Sequence, residues 1–354
     1  MNFPIVAIVV LYSTCAGQDD AQGLWRQMGG ITPRGYVCYR AAEPLVIDGK
    51  LNDAAWEAAP WTDHFVDIEG PTKPKPRFGT RAKMLWDGEH FYVGARLEEP
   101  HAWATLTEHD SVIFHDNDFE VFIDPNGDNH EYYEFEINAL NTGWDLFLPK
   151  PYMDSGRADN SWEIPGLRTE VHIAGSLNDP SGRDEYWSVE LAFPWTAFAE
   201  FAHVEIPPQD GDQWRVNFSR VQWKHVIAES EYRKVDGIRE DNWVWSPQGI
   251  INMHRPERWG FVQFSTAEPG SVKFTPDGEL ATRDELMELY HRQRVYRQQH
   301  GRWAATLVEL GYRSSLPLQL SGTDVGYRGT IRTSSGMQWH VQQDSRLWQE
   351  ANRD

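Results

Sequence analysis

Residues 117–141, NDFEVFIDPNGDNHEYYEFEINALN, alternate apolar and polar side chains with the two-residue period of half-buried strands. Phe119, Val121 and Ile123 fall on one face; Asp118, Glu120 and Phe122 fall on the other. In the second half Tyr133, Phe135 and Ile137 face a core, while Tyr132, Glu134, Glu136 and Asn138 face away. Folding the two halves about DPNGDNHE brings Glu120 close to Glu134 or Glu136 on one polar face. Similar short runs recur along the chain. RAKMLWDGEHFYVGARLEE flanks an Asp87-Gly88 turn with apolar residues and predicts a β-hairpin. WDLFL, LRTEVHI, EYWSVELAF, QWRVNFSRVQW and RWGFVQF add further strands, separated by Gly, Pro, Asn and Asp. This pattern predicts an all-β, antiparallel immunoglobulin-like or jelly-roll β-sandwich over residues 44–265.

The flanks differ. Residues 17–43 carry no clear period and are expected to be a leader. Residues 266–354 begin with a Pro/Gly linker, AEPGSVKFTPDG, and continue as TRDELMELYHRQRVYRQQHG. That segment has a Thr282…Glu285 capping box and a Gly301 stop, the marks of a helix. A second short helix is expected in AATLVEL and one weak hairpin in YRGTIRTSSGMQWHV, so the appendage is expected to be small and mostly helical.

Charge narrows the partners. With 33 Lys+Arg against 53 Asp+Glu, the formal net charge of −20 repels a phosphate backbone, which argues against nucleic acid. The 17 Trp, 13 Tyr and 16 Phe exceed what an ordinary core consumes and leave rings to serve as flat platforms. Residues 3–12 are too short an apolar run for a transmembrane segment and fit a signal-peptide core, with cleavage expected after Ala16. A secreted or periplasmic location follows. Lipid attachment through Cys15 is the alternative, although Tyr12 and Thr14 make a poor lipobox. If Cys15 leaves with the signal, Cys38 stands alone and forms no internal disulfide.

The carboxylates of the central ribbon allow several chemistries. Glu120 and Glu136 could serve a glycoside hydrolase as paired acids about a scissile bond. Asp124, Asn126 and Asp128 could offer oxygens to calcium, although the loop is no EF-hand. Carboxylates and amides beside an aromatic ring could also accept hydrogen bonds from hydroxyls. A plain solvated sheet face is the fourth alternative. No G-x-S-x-G elbow, H-E-x-x-H helix or Cys–His pair suggests another activity, and no cofactor is required.

Five stretches, VIDGKLNDAAWEAAPW, KMLWDGEHFYVGARLEEP, DNDFEVFIDPNGDNHEYYEFEINALN, YWSVELAFPW and NWVWSPQGIINMHRPERWGFVQF, occur in this order. Together they resemble the carbohydrate-binding module family 9-like domains, in particular their single-domain exported branch. The resemblance implies a sandwich that holds a polysaccharide or oligosaccharide without cleaving it, beside glycan-degrading enzymes, with structural calcium as a family option. It aligns Phe114 and Met253 with the two tryptophans that clamp a sugar in that family. Glu120 and Asn138 match its polar residues, and Glu136 replaces an arginine. Trp103, Trp144 and Trp162 are the candidate substitute rings, core filling being the alternative for each. A structural envelope protein that has lost its ligand is the remaining option.

Overall fold

The computed structural model describes residues 21–351. The signal-peptide, cleavage and Cys15 expectations fall on residues outside that range. The described residues are mostly β, with 14% helix. After helix α1 (Ala21–Gly29) come strands β1 (Gly35–Arg40), a short helix α2 (Ala54–Ala58), β2 (Val66–Asp67), β3 (Thr80–Trp86) and β4 (His90–Glu98). The central meander is β5 (Asp118–Asp124), β6 (Tyr132–Asn138) and β7 (Gly143–Leu148). There follow β8 (Arg168–Ala174), β9 (Tyr186–Pro194), β10 (Gln213–Gln222), a separate hairpin of β11 (His225–Ala228) and β12 (Glu231–Lys234), β13 (Asp241–Val244) and β14 (Gly260–Ser265). The appendage holds α3 (Leu280–His300) and β15 (Leu318–Gly322), β16 (Tyr327–Arg332), β17 (Met337–Gln342) and β18 (Leu347–Ala351).

Twelve strands form one curled sheet, ordered β7-β6-β5-β10-β14-β1-β3-β4-β9-β8, with β13 and β2 paired beside β10. The curl brings the far strands of the path face to face. Phe135 of β6 meets Phe193 of β9 with ring centroids 5.9 Å apart, and Phe264 of β14 meets Phe91 of β4 at 6.0 Å. The alternate residues that point inward, among them Phe119, Val121, Tyr133, Phe218, Val93, Val189 and Leu191, fill one buried core between the two layers.

β1 corrects two expectations. Within the expected leader, 17–43, the described residues include a strand of the sandwich, because β1 sits in the middle of the sheet with Tyr36–Tyr39 buried. The sheet is also not purely antiparallel, since β1 runs parallel to both β14 and β3. It enters at the seam between the two layers, and the long excursion through residues 41–79 allows the parallel connection. That excursion covers the outer face of β3, β4 and β9. Trp56 lies fully buried there and donates Nε1–H to Glu190 Oε1 at 2.6 Å. Gly94 of β4 permits this approach, for a Cβ there would lie 2.3 Å from Leu51.

The appendage is a helix packed on a sheet, not a mostly helical tail. β15–β16–β17–β18 form a four-stranded antiparallel sheet, and α1 joins α3 on it around Trp25, Met28, Leu286, Leu289, Tyr290, Ile331 and Val341. Gly301 ends α3 with φ of 71°, as expected. The expected capping box does not form, because the helix starts at Leu280 and Thr282 is already inside its first turn. Glu285 instead accepts hydrogen bonds from Tyr312 and Ser315. Residues 305–311 are turns and bends, with no second helix.

Candidate functional site

The central ribbon keeps the faces that alternation assigns, and its register chooses Glu136 over Glu134 as the partner of Glu120. Glu120 lies directly opposite Glu136, Asp118 opposite Asn138, and Phe122 opposite Glu134. On the outer flank Trp144 of β7 is paired with Glu136, and Ser219 of β10 is paired with Glu120. Four carboxylates, Asp118, Glu120, Glu134 and Glu136, therefore share one face. The expectation that this face is open to water is corrected: their exposures are 0, 5, 4 and 2%.

Aromatic residues roof the face. A single 3₁₀ turn, Ile113–His115, lies over β6, and Phe114 N–H donates to Glu136 Oε2 at 3.0 Å. The Phe114 ring stands 6.4 Å from Trp144, tilted by 31°. Trp223, just past β10, donates Nε1–H to Phe114 O at 2.9 Å and its backbone N–H to Asn117 Oδ1 at 2.8 Å. Phe114 is 36% exposed, and Trp144 and Trp223 are half-buried. Lys234 Nζ sits 3.8 Å over the Trp223 ring. Rings form the rim and acids the floor.

Burial dominates the electrostatics of that floor. It pushes the Glu120 carboxyl up to about 7, against the nearby Ser219 hydroxyl, which lowers it. Burial first, then the neighbouring carboxylates, holds Asp118, Glu134 and Glu136 well above the ordinary range. Like charges opposite one another in a sheet repel. Asp118 Oδ1 accepts Val221 N–H at 3.1 Å, yet Oδ2 has no hydrogen-bond donor. Glu134 Oε2 finds no donor unless Glu136 is protonated.

The other expected residues separate. Asn138 is not available to a ligand: its Nδ2 donates to Leu106 O at 2.9 Å and Asp116 Oδ2 at 3.1 Å. Its Oδ1 accepts from Leu140 and Thr142 N–H. Trp162 packs inward on Tyr133 and Phe147, and Trp103 is 3% exposed and stacked on Tyr232. Met253 belongs to an apolar cap over the other end of the same sheet face, with Ile68, Phe122, Tyr132, Leu146 and Trp259. Of the candidate substitute rings only Trp144 borders the acids.

The Asp124–Asn126–Asp128 loop is a hydrogen-bonded turn. Asp124 accepts from Gly127 and Asn129 N–H, and Asn126 Oδ1 accepts from Asp128 N–H. Asp128 accepts from His130 N–H and from Arg346 Nε at 3.2 Å. Arg283, which donates to Gly127 O at 3.2 Å, supplies further positive charge to Asp124 and Asp128. Two guanidiniums from the appendage thus bring positive charge to the turn considered for calcium.

A hydrolytic role for Glu120 and Glu136 meets a steric objection. A scissile bond must lie between the two acids, and their burial leaves it no way in. Asp118 and Glu134 were legible from alternation, being two residues from Glu120 and Glu136. Trp223 and Lys234 carried no signal, because only the fold brings the end of β10 and the β11–β12 hairpin to this rim.

Residues 47–205 match the family described as carbohydrate family 9 binding domain-like. Among solved structures, a proposed carbohydrate-binding protein from Bacteroides uniformis ATCC 8492 aligns at TM-score 0.50 and 16% identity, covering 66% of this chain and 100% of its own. A family 9 module from Caldicellulosiruptor kristjanssonii in complex with cellotriose aligns at 0.44 with 15% identity, over 69% of this chain and 100% of that one. The corresponding glucose complex aligns at 0.42 with 16% identity, over 68% and 100%. No curated protein sequence matches the chain.

Proposed function

We propose that the protein, whose residues 47–205 match the carbohydrate family 9 binding domain-like family, binds a carbohydrate without cleaving it. The observation that carries this function is the rim of partly exposed rings, Phe114 and Trp144, directly beside the Glu120–Glu136 floor. A sugar ring presents an apolar C–H face and a belt of hydroxyls. The first stacks on an indole or phenyl ring, and the second hydrogen-bonds with polar groups at the rim above the buried acids. Phe114 and Trp144 form one wall and not a two-sided clamp, so the seat suits a chain end or a shallow surface segment. Export, with residues 3–12 as the signal, and work alongside glycan-degrading enzymes complete the proposal. Among the described residues no helix is long and apolar enough to cross a membrane.

Affinity electrophoresis against a panel of plant and algal glycans tests it. The wild-type protein is expected to be retarded by at least one glycan. Loss of one stacking ring is expected to cost on the order of 1 kcal/mol, about a fivefold weakening, so Trp144→Ala migrates more freely. A folded wild-type protein that no glycan retards refutes the proposal. Retardation unchanged in both Trp144→Ala and Phe114→Ala refutes the assigned seat.

A further inference from the structure

We propose that Asp118, Glu120 and Glu136 hold a divalent metal ion beneath the aromatic rim, and that the ion is calcium. One oxygen of each of the three side chains lies within 4.8 Å of the others. Calcium–oxygen distances of about 2.3–2.6 Å place ligand oxygens no more than about 5 Å apart across the ion, so the trio suits calcium as it stands. Magnesium, at about 2.0–2.1 Å, needs ligand oxygens no more than about 4.2 Å apart. No histidine or cysteine belongs to the trio, so the donors are hard oxygens and not those favoured by zinc or copper.

A second observation points to the same ion. Glu134 lies outside the trio, is 4% exposed, and aims an oxygen without a donor into the same cluster. Asp118, fully buried, also has an oxygen without a donor. Buried carboxylates cost several kcal/mol when nothing compensates them. Elsewhere in the described residues buried carboxylates are met by hydrogen-bond donors, as Glu190 is by Trp56 Nε1–H and the N–H groups of Asp48 and Gly49, or by side-chain cations. Glu99 has Arg220, Asp154 has Arg294, and Asp128 has Arg346. Among the described residues no ion pair reaches Asp118, Glu120, Glu134 or Glu136. The cation whose field reaches Asp118, Lys234, is drawn onto the Trp223 ring. A metal ion supplies the missing charge. Ser219, opposite Glu120, adds a hydroxyl oxygen at the edge of the same cluster.

Metal binding at this position requires no sugar and is measured without one. Protein stripped with chelator is titrated with CaCl2 by calorimetry, and separately with terbium, whose luminescence Trp144 and Trp223 are placed to sensitise. One ion per chain is expected, with terbium displaced by calcium. Glu120→Gln and Glu136→Gln, close in shape to the native side chains, are expected to weaken binding at least tenfold, while Asn126→Ala in the neighbouring turn leaves it unchanged. Near-ultraviolet circular dichroism establishes that each variant is folded. No saturable heat with calcium, magnesium or manganese overturns the proposal and leaves shared protons as the compensation. Binding lost in Asn126→Ala but kept in both Gln variants overturns the site. Glycan retardation repeated in chelator is a separate readout, so failure of either proposal is recognised without the other.

Discussion

Arg220→Met is expected to destabilise the protein by about 3–5 kcal/mol at pH 7, the range for breaking a buried ion pair from one side. Arg220 and Glu99 have side chains only 1% exposed, with Nη2 3.1 Å from Oε2. The guanidinium also donates to Thr80 Oγ1, to Glu98 O and twice to Gln222 Oε1, joining β10 to the first strands of the other layer. Burial pulls Arg220 down to about 10 and lifts Glu99, so each partner depends on the other to remain charged. Without Arg220, Glu99 escapes the cost of a lone buried charge by taking a proton. From its ordinary value of 4.5 that limits the charge penalty to about 3.4 kcal/mol at pH 7, at about 1.36 kcal/mol per unit. Lost hydrogen bonds add about 1 kcal/mol each. The folded variant binds a proton that its unfolded chain releases above pH 4.5, so the penalty grows as pH rises and shrinks toward pH 4.5. Urea unfolding at pH 7 and pH 4.5 measures both values. Arg220→Met with Glu99→Gln is expected to recover much of the loss at pH 7. A loss below 1 kcal/mol, or one independent of pH, refutes the reasoning.

Two further outcomes follow from the remaining charged groups. His254 is half-buried among Tyr152, Phe122 and Tyr132, and burial lowers its pKa to about 3. Its contribution is fully present above pH 6.5 and is lost as pH falls from 6.5 toward 3, because only the unfolded chain is protonated there. His254→Gln is therefore expected to reduce the acid loss of stability, by at most about 1.4 kcal/mol per pH unit and less for the ring's partial exposure; urea midpoints between pH 6 and pH 4 measure it. Arg283→Met removes the cation shared by Asp124, Asp128 and Asp277, and is expected to cost about 2–4 kcal/mol and expose the appendage to limited proteolysis before the sandwich. Simultaneous cleavage of both parts contradicts that expectation.

The face pairing of Glu120 with Glu136 was legible because it depends only on period and a short connection. Its burial was not. The roof over Glu136 comes from residues 113–115, and nothing local shows that this turn folds back on β6 rather than away from it. β1 escaped detection for a similar reason. GYVCYR is short, and its partners, Phe261–Ser265 and Leu85–Trp86, are remote in the chain and parallel to it. In the appendage sheet the β16–β17 hairpin was legible, but β15 and β18 were missed because each buries little beyond its first residue and carries a weak apolar pattern. Calcium was one alternative for the Asp124 turn, beside a plain hairpin loop, because the spacing of its oxygens is visible in sequence. The arginines that satisfy the turn lie more than 150 residues away, as Arg283 and Arg346.

That contrast between neighbouring acidic groups explains how the appendage and the ribbon depend on one another. The β5–β6 turn is held by backbone as well as charge, since Leu347 N–H donates to Asp128 O at 3.0 Å. Asp154, in the loop after β7, is gripped in parallel by Tyr290, Arg294 and Ser345. Both grips lie beyond the ends of β5, β6 and β7, on the side away from Asp118 and Asn138. The strands carrying the acidic floor are therefore anchored at one end by guanidiniums, while their other end runs beneath the Phe114–Trp144 rim with no such partner. Anchoring at one end lets repulsion among the four carboxylates be borne by the fold without opening the sheet. It also leaves the rim end as the place where an added positive charge gains most. A charge supplied at the turn would duplicate what Arg283 and Arg346 already provide.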